Sequence, residues 1–209
     1  MCELMPAPTD PIDAIYELEQ QGVDAADIRR RVWAQFGCTR AALVLDSTGF
    51  TRVTHAQGIV HYLALLGRLR ELLHPVLEAH NCLRLRAETD NLYAEFADPE
   101  RALDAAIAAN EAVFDSGLML NGSEPFGVCI GIGYGKMLLS EREGLFGAEM
   151  NLASKLGEDI AQFREILLTA AAYEALPPQR RSGFEERFSG ISGNAVSYHW
   201  MHWARATKG

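Results

Sequence analysis

The chain has 209 residues, 48% hydrophobic and 22% charged, the balance of a globular protein with one full core and room for an extension. Its formal net charge of −9 argues against a nucleic-acid or acidic-membrane binder, which needs a basic face to meet phosphates, so an anionic ligand would need local help from metals or a few arginines. Cys2, Cys38, Cys82 and Cys129 show no CxxC spacing, which points away from zinc or a disulfide framework and towards reduced thiols in a cytoplasm. No apolar run approaches the roughly 20 residues of a membrane span, and the acidic, proline-broken start does not read as a secretion signal.

In chain order, residues 1–10 read as a mobile tail. Asp13 to Glu19 and Asp24 to Phe36 read as helices, the second with Asp24 as N-cap, an apolar face of Ile28, Val32, Trp33 and Phe36, and Gly37 as its stop. Residues 1–36 are therefore predicted to form a helical extension, and residues 37–209 the main domain. A strand from Thr39 is followed by one long helix, Thr54 to His80, whose 3.6-period stripe includes Ile59, Tyr62, Leu63, Leu66, Leu69, Leu72, Leu73 and Val76; Pro75 should bend or end it near its last turn. Leu83 to Ala87 and Leu92 to Phe96 form a hairpin, and Pro99 to Ser116 a second helix with Ala105, Ala106, Ala109 and Val113 inward. Phe126 to Gly135 is a glycine-dotted strand, then come a helix over Met150 to Ile160, a strand over Glu165 to Thr169, a short helix over Ala170 to Leu176 and a last strand over Ser197 to Trp203. The order β-α-β-β-α-β predicts an α+β fold, a ferredoxin-like sheet with helices on one face.

Two aspartates stand out because each sits where an apolar strand should end. Asp46 closes Ala41-Ala42-Leu43-Val44-Leu45 and opens the turn Ser47-Thr48-Gly49-Phe50-Thr51, while Asp90 lies at the hairpin turn. Two carboxylates side by side on neighbouring strands stay ionised only if positive charge lies between them, most often divalent cations. Duller readings stand beside this one: Asp46 as a turn or helix cap, Asn151 as a cap after Gly147, Lys155 as a solvated helix charge and Arg86 as an exposed strand residue. The glycines at 131, 133 and 135 lack the Lys-Ser/Thr ending of a P-loop and read as close strand packing.

From about Thr39 onward the chain resembles the class III nucleotidyl cyclase catalytic domain. Three segments carry the resemblance: Leu45 to Thr51, Arg86-Ala87-Glu88-Thr89-Asp90, and Leu145-Phe146-Gly147-Ala148-Glu149-Met150-Asn151-Leu152-Ala153-Ser154-Lys155-Leu156. The resemblance implies a lyase that cyclises a nucleoside triphosphate to the 3′,5′-cyclic monophosphate with release of pyrophosphate. It implies two ions, Mg2+ or Mn2+, at Asp46 and Asp90, hard cations suited to carboxylate and phosphate oxygens. The turn from Ser47 through Thr48, Gly49 and Phe50 to Thr51 would cradle the outer phosphates at a helix start. Asn151 would orient the ribose, and Lys155, four residues on and so on the same helix face, would meet charge on the α-phosphate. The resemblance also implies a head-to-tail homodimer, with the aspartates from one chain and the Asn151 helix from the other.

The chain departs from the family in places. The usual arginine four residues beyond the asparagine is Lys155, an arginine before the Gly-Ile strand is Cys129, and the C-terminal lysine has no counterpart in Ile191-Ser192-Gly193-Asn194. The base-reading positions are Arg86 and Gly144. An arginine only donates hydrogen bonds, which suits adenine N1 and equally the carbonyls of uracil or cytosine; the resemblance makes ATP the first expectation, with a pyrimidine cyclase the alternative. A catalytically silent nucleotide-binding or dimerisation module is the rival from another class. A nucleotidyl-transfer palm domain ranks last, for want of a basic surface.

Overall fold

The computed structural model describes residues 10–191 and 193–204. Helices α1 (Pro11–Gln20) and α2 (Ala25–Phe36) precede β1 (Gly37–Ser47), α3 (Phe50–Gln57), α4 (Ile59–Ala79), β2 (Arg84–Glu88), β3 (Asn91–Phe96), α5 (Pro99–Ser116) and β4 (Val128–Ser140). Then come β5 (Gly144–Phe146), α6 (Ala148–Ser154) running into a π-helical turn (Lys155–Ile160), β6 (Glu165–Thr169), α7 (Ala170–Ala175), β7 (Glu185–Ile191) and β8 (Asn194–His202). The sheet order is β2-β3-β1-β4-β6-β8-β7, with β5 paired to β4. Its first four strands are the expected β-α-β-β-α-β core, with β1 antiparallel to both β3 and β4.

Side-chain alternation along β1 divides the core. Ala41, Leu43 and Leu45 face a large cluster with Tyr62, Leu69, Leu73 and Leu77 of α4, Ala102, Ala105 and Ala109 of α5, and Ala172 of α7. Ala42 and Val44 face the opposite way, with Met137, Leu145 and Ala153 of α6. The expectation of helices on one face is thus corrected: α6 covers the other. It fits because Gly131 is bare; a Cβ there would overlap the Ala153 carbonyl oxygen, so helix backbone rests directly on strand backbone.

Other boundaries moved for physical reasons. The single helix expected over 54–80 is two, broken at Gly58, whose φ of 86° and ψ of 159° lie outside helical space. The break turns Ile59, Val60 and Leu63 to solvent, while α4 runs to Ala79, one turn beyond Pro75. The helix expected over 150–160 begins at Ala148 and widens into the π turn after Ser154. β5 and β7 went unforeseen, and Trp33 of α2 is exposed rather than inward.

Asp24 caps α2 as expected, accepting from the N–H groups of Ala26 and Asp27 at 3.0 Å each. The predicted tail, residues 1–10, lies outside the described residues except for Asp10, which is a correction. It is 1% exposed, caps α1 through the Ile12 N–H at 2.9 Å and accepts from the Ser140 hydroxyl. Ala14, Ile28, Val32 and Phe36 pack together and against Leu138 of β4, which seats α1 and α2 on the sheet.

Candidate active site

Asp46 is the penultimate residue of β1 and, by alternation with Ala42 and Val44, lies on the α6 face. Asp90 sits in the β2–β3 turn after Thr89, whose φ is 47°. The two come together: Asp46 is half-buried and its carboxyl is pushed up to about 7, first by burial, then by the charge of Asp90 and, less, of Glu158, against one lowering hydrogen bond from the Ser47 N–H. Such a carboxyl is relieved by a cation placed beside it. Among the described residues no three His, Cys, Asp or Glu side chains gather closely enough to hold an ion by themselves. Two carboxylates with phosphate and water oxygens completing the shell is the coordination magnesium favours, so the donor set fits the expected ions.

The turn after Asp46 is more committed than expected. The Ser47 hydroxyl is buried against the Tyr62 hydroxyl at 2.5 Å. Thr48 is tied to Gly127, its N–H donating to the Gly127 carbonyl at 3.0 Å and its Oγ1 accepting from the Gly127 N–H at 3.2 Å. Both hydroxyls are engaged and the Thr48 N–H is taken by Gly127, which leaves the N–H groups from Gly49 through Phe50 to Thr51 as the part of the turn able to receive an anion. There α3 starts on Gly49 without any side-chain cap, and the Phe50 ring packs edge-on against Tyr62 at 5.0 Å.

Arg86 and Gly144 also come together. A Cβ at Gly144, where φ is 87°, would stand 3.4 Å from Arg86 Nη2. The Arg86 guanidinium lies over the Tyr93 ring at 5.1 Å and pairs with Glu88 at 2.8 Å. Between these groups, Glu95, Met150 and Leu145 lies a cavity of about 10 Å³, room for one water.

Asn151 and Lys155 do not join either group. Ala153 and Gly157 face the sheet, so the residues two positions away point outward, and both are exposed. Asn151 is inside α6, its N–H bonded to the Gly147 carbonyl at 3.1 Å, and so is not the cap, which is Gly147. Lys155 Nζ pairs with Asp159 at 2.8 Å. Cys129 is 6% exposed, opposite Asp46 in the ladder, with its thiol raised to about 12 by burial and by the Asp46 charge. Ser192 of the C-terminal turn lies outside the described residues.

Three residues on this face escaped the sequence reading. The Tyr93 hydroxyl donates to Glu158 at 3.1 Å and accepts from Asn91 Nδ2 at 3.3 Å, linking the π turn to β3. Glu158, raised chiefly by burial, adds a third carboxylate near Asp46, and Glu95 is a carboxylate only 7% exposed. The alternation of Asn91, Tyr93 and Glu95 along β3 was the available signal: three polar-tipped residues on one strand face, opposite Leu92, Ala94 and Phe96.

The fold is that of class III nucleotidyl cyclase catalytic domains. An adenylate/guanylate cyclase/hydrolase from Silicibacter pomeroyi superposes with a TM-score of 0.69 at 19% identity, over 80% of this chain and 98% of that one. The adenylyl cyclase CyaB from P. aeruginosa gives 0.61 at 17% identity over 81% and 96%, and the catalytic core of a rhodopsin-guanylyl cyclase with converted specificity, in complex with ATPalphaS, gives 0.64 at 15% over 78% and 94%. No family model matches the chain. No curated protein matches it either.

Proposed function

We propose that the protein is a cytoplasmic class III nucleotidyl cyclase that converts a nucleoside triphosphate, with ATP the first candidate, to its 3′,5′-cyclic monophosphate and pyrophosphate. The observation that carries this is the Asp46–Asp90 pair, half-buried and mutually repelling on a cyclase fold. In the reaction the ribose 3′-hydroxyl gives its proton to solvent, its oxygen bonds to the α-phosphorus, and the bond from that phosphorus to the bridging oxygen breaks, so pyrophosphate leaves with the electron pair. Mg2+ or Mn2+, two ions per site, would lower the pKa of that hydroxyl and neutralise the phosphates when bound. Asp46 and Asp90 would hold them, the N–H groups from Gly49 to Thr51 would receive the outer phosphates, and Arg86 would donate to the base. Asn151 would orient the ribose and Lys155 would face the α-phosphate of a site completed by a second chain, which their outward direction supports.

A second reading, a pyrimidine cyclase, is favoured by the narrow space between Arg86 and Gly144. One experiment separates these and the silent module: incubation with manganese and each of ATP, GTP, CTP and UTP, with cyclic products detected by mass spectrometry beside Asp90→Asn. One product, lost in the variant, supports the cyclase and names the base. No product with nucleotide still bound favours the silent module.

A further inference from the structure

The cavity beside Arg86 has two walls that no backbone ladder joins. One is β2, an edge strand paired only with β3; the other is the turn leading into β5, which pairs only with β4. A side chain spans the gap. Arg84 Nη1 donates to the carbonyl oxygens of Ser140 and Glu141, each at 2.9 Å, and its Nε stands 3.7 Å from Glu95 Oε1. Burial pushes the Glu95 carboxyl up, and the charges of Arg84, Arg40 and Arg86 hold it back. A carboxylate this deep is tolerated only when paired, and Arg84 is its nearest cation. The turn is braced from the other side as well: Ser140 Oγ accepts from the N–H groups of Arg142 at 3.2 Å and Glu143 at 3.0 Å and donates to buried Asp10 of the α1 cap. This turn delivers Gly144 opposite Arg86.

We infer that the Arg84–Glu95 pair is the positioning element that sets the gap between Arg86 and Gly144 and so decides which bases the chain accepts. The inference rests on Arg86 and Gly144 being the base-facing groups of the proposed cyclase. Seating any base means parting walls that now enclose room for one water, and the resistance to parting comes from the planar Arg84 guanidinium, whose Nη1 holds two carbonyl oxygens while its Nε faces a buried carboxylate. Arg84 and Glu95 need not touch the nucleotide for this; they limit how far the turn retreats. A wall held firmly admits the smaller or better-matched base, and a slack wall admits both.

The test is kcat/KM for ATP, GTP, CTP and UTP with manganese in the wild type, Arg84→Met, Arg84→Lys and Glu95→Gln, with thermal unfolding recorded for each. The expected result is that the ratio between the best and worst nucleotide falls about tenfold in Arg84→Met, mainly through a lower KM for the disfavoured nucleotide, while kcat for the favoured one changes by less than about threefold. Arg84→Lys, which keeps the charge but has no second nitrogen to face Glu95 while the first holds the carbonyls, should fall between. Glu95→Gln, close to Glu in volume, should loosen selectivity in the same direction, and it carries the test if Arg84→Met does not fold. Unchanged ratios in folded variants, or an equal loss for all four nucleotides, would overturn the inference while leaving the cyclase standing. A wild type that turns over none of the four fails earlier, at the proposed function, and takes the inference with it.

Discussion

The Asp46 carboxyl is pushed up to about 7 from an ordinary 3.8, so the metal-free native chain holds it mainly protonated only below about pH 7. The sign follows: a raised carboxyl contributes stability that is fully present below about pH 4 and is lost as pH rises through about 7. Asp46→Asn mimics the protonated form. With chelator present it should be more stable than the wild type at pH 8, by on the order of 1 kcal/mol once solvent screening of this half-exposed group is allowed for, or about 2–4 °C. At pH 4 the two should melt together, and at pH 8 magnesium or manganese should stabilise the wild type far more than the variant. Equal melting at pH 8 in chelator would show that Asp46 is not under the strain described. Lys155 poses a milder question. Its ammonium is exposed and held by Asp159, where the family carries an arginine, so Lys155→Arg should keep or raise kcat. A folded but inactive Lys155→Arg would mean that this helix face does not meet the phosphates.

At the scale of elements, the contact between α6 and β4 decides whether the groups on the π turn stand where they do. Ala153 and Gly157 seat the helix on bare strand backbone; a Cβ on Gly157 would come 2.8 Å from the Val44 carbonyl oxygen. Gly131→Ala should therefore lift the helix and destabilise the fold by about 1–3 kcal/mol, as overpacked cores do, and weaken activity through displaced Glu158 and Asn151. An unchanged unfolding midpoint in denaturant would contradict this seating. The glycine spacing was read correctly as close packing, but what packs there was not legible, because glycine announces a near neighbour without naming it. Elements with strong periodicity were legible: Pro99–Ser116 and Glu165–Thr169 stand at their expected bounds. The missed strand β7, Glu185–Ile191, is an edge strand bearing Glu185, Glu186 and Arg187, and edge strands carry charge that masks an apolar alternation. Asp46, Asp90, Arg86 and Gly144 could be singled out because short motifs hold them; Arg84, Glu95 and Glu158, which stand beside them, could not, because their contacts join strands and turns far apart in sequence.

For the whole molecule, the arrangement within one chain puts the residues of the proposed site in two separate places. Asp46 and Asp90 gather at one place, whereas Asn151 and Lys155 point away from the sheet on the outer side of α6; under the proposed function a second chain would bring its own Asn151 to the aspartates. Specific activity should then fall on dilution below the dimer dissociation constant. A sharper test mixes two inactive variants. In a head-to-tail dimer of Asp90→Asn with Asn151→Ala, one site receives both lesions and the other receives neither. Equimolar mixing makes half of the dimers mixed, each with one intact site of two, so about a quarter of wild-type activity should return. Recovery near that level, proportional to the mixed fraction as the ratio of variants is varied, requires aspartates and asparagine from different chains. No recovery from variants shown to exchange subunits would mean that each chain carries its site alone, and the outward face of α6 would have to be explained some other way.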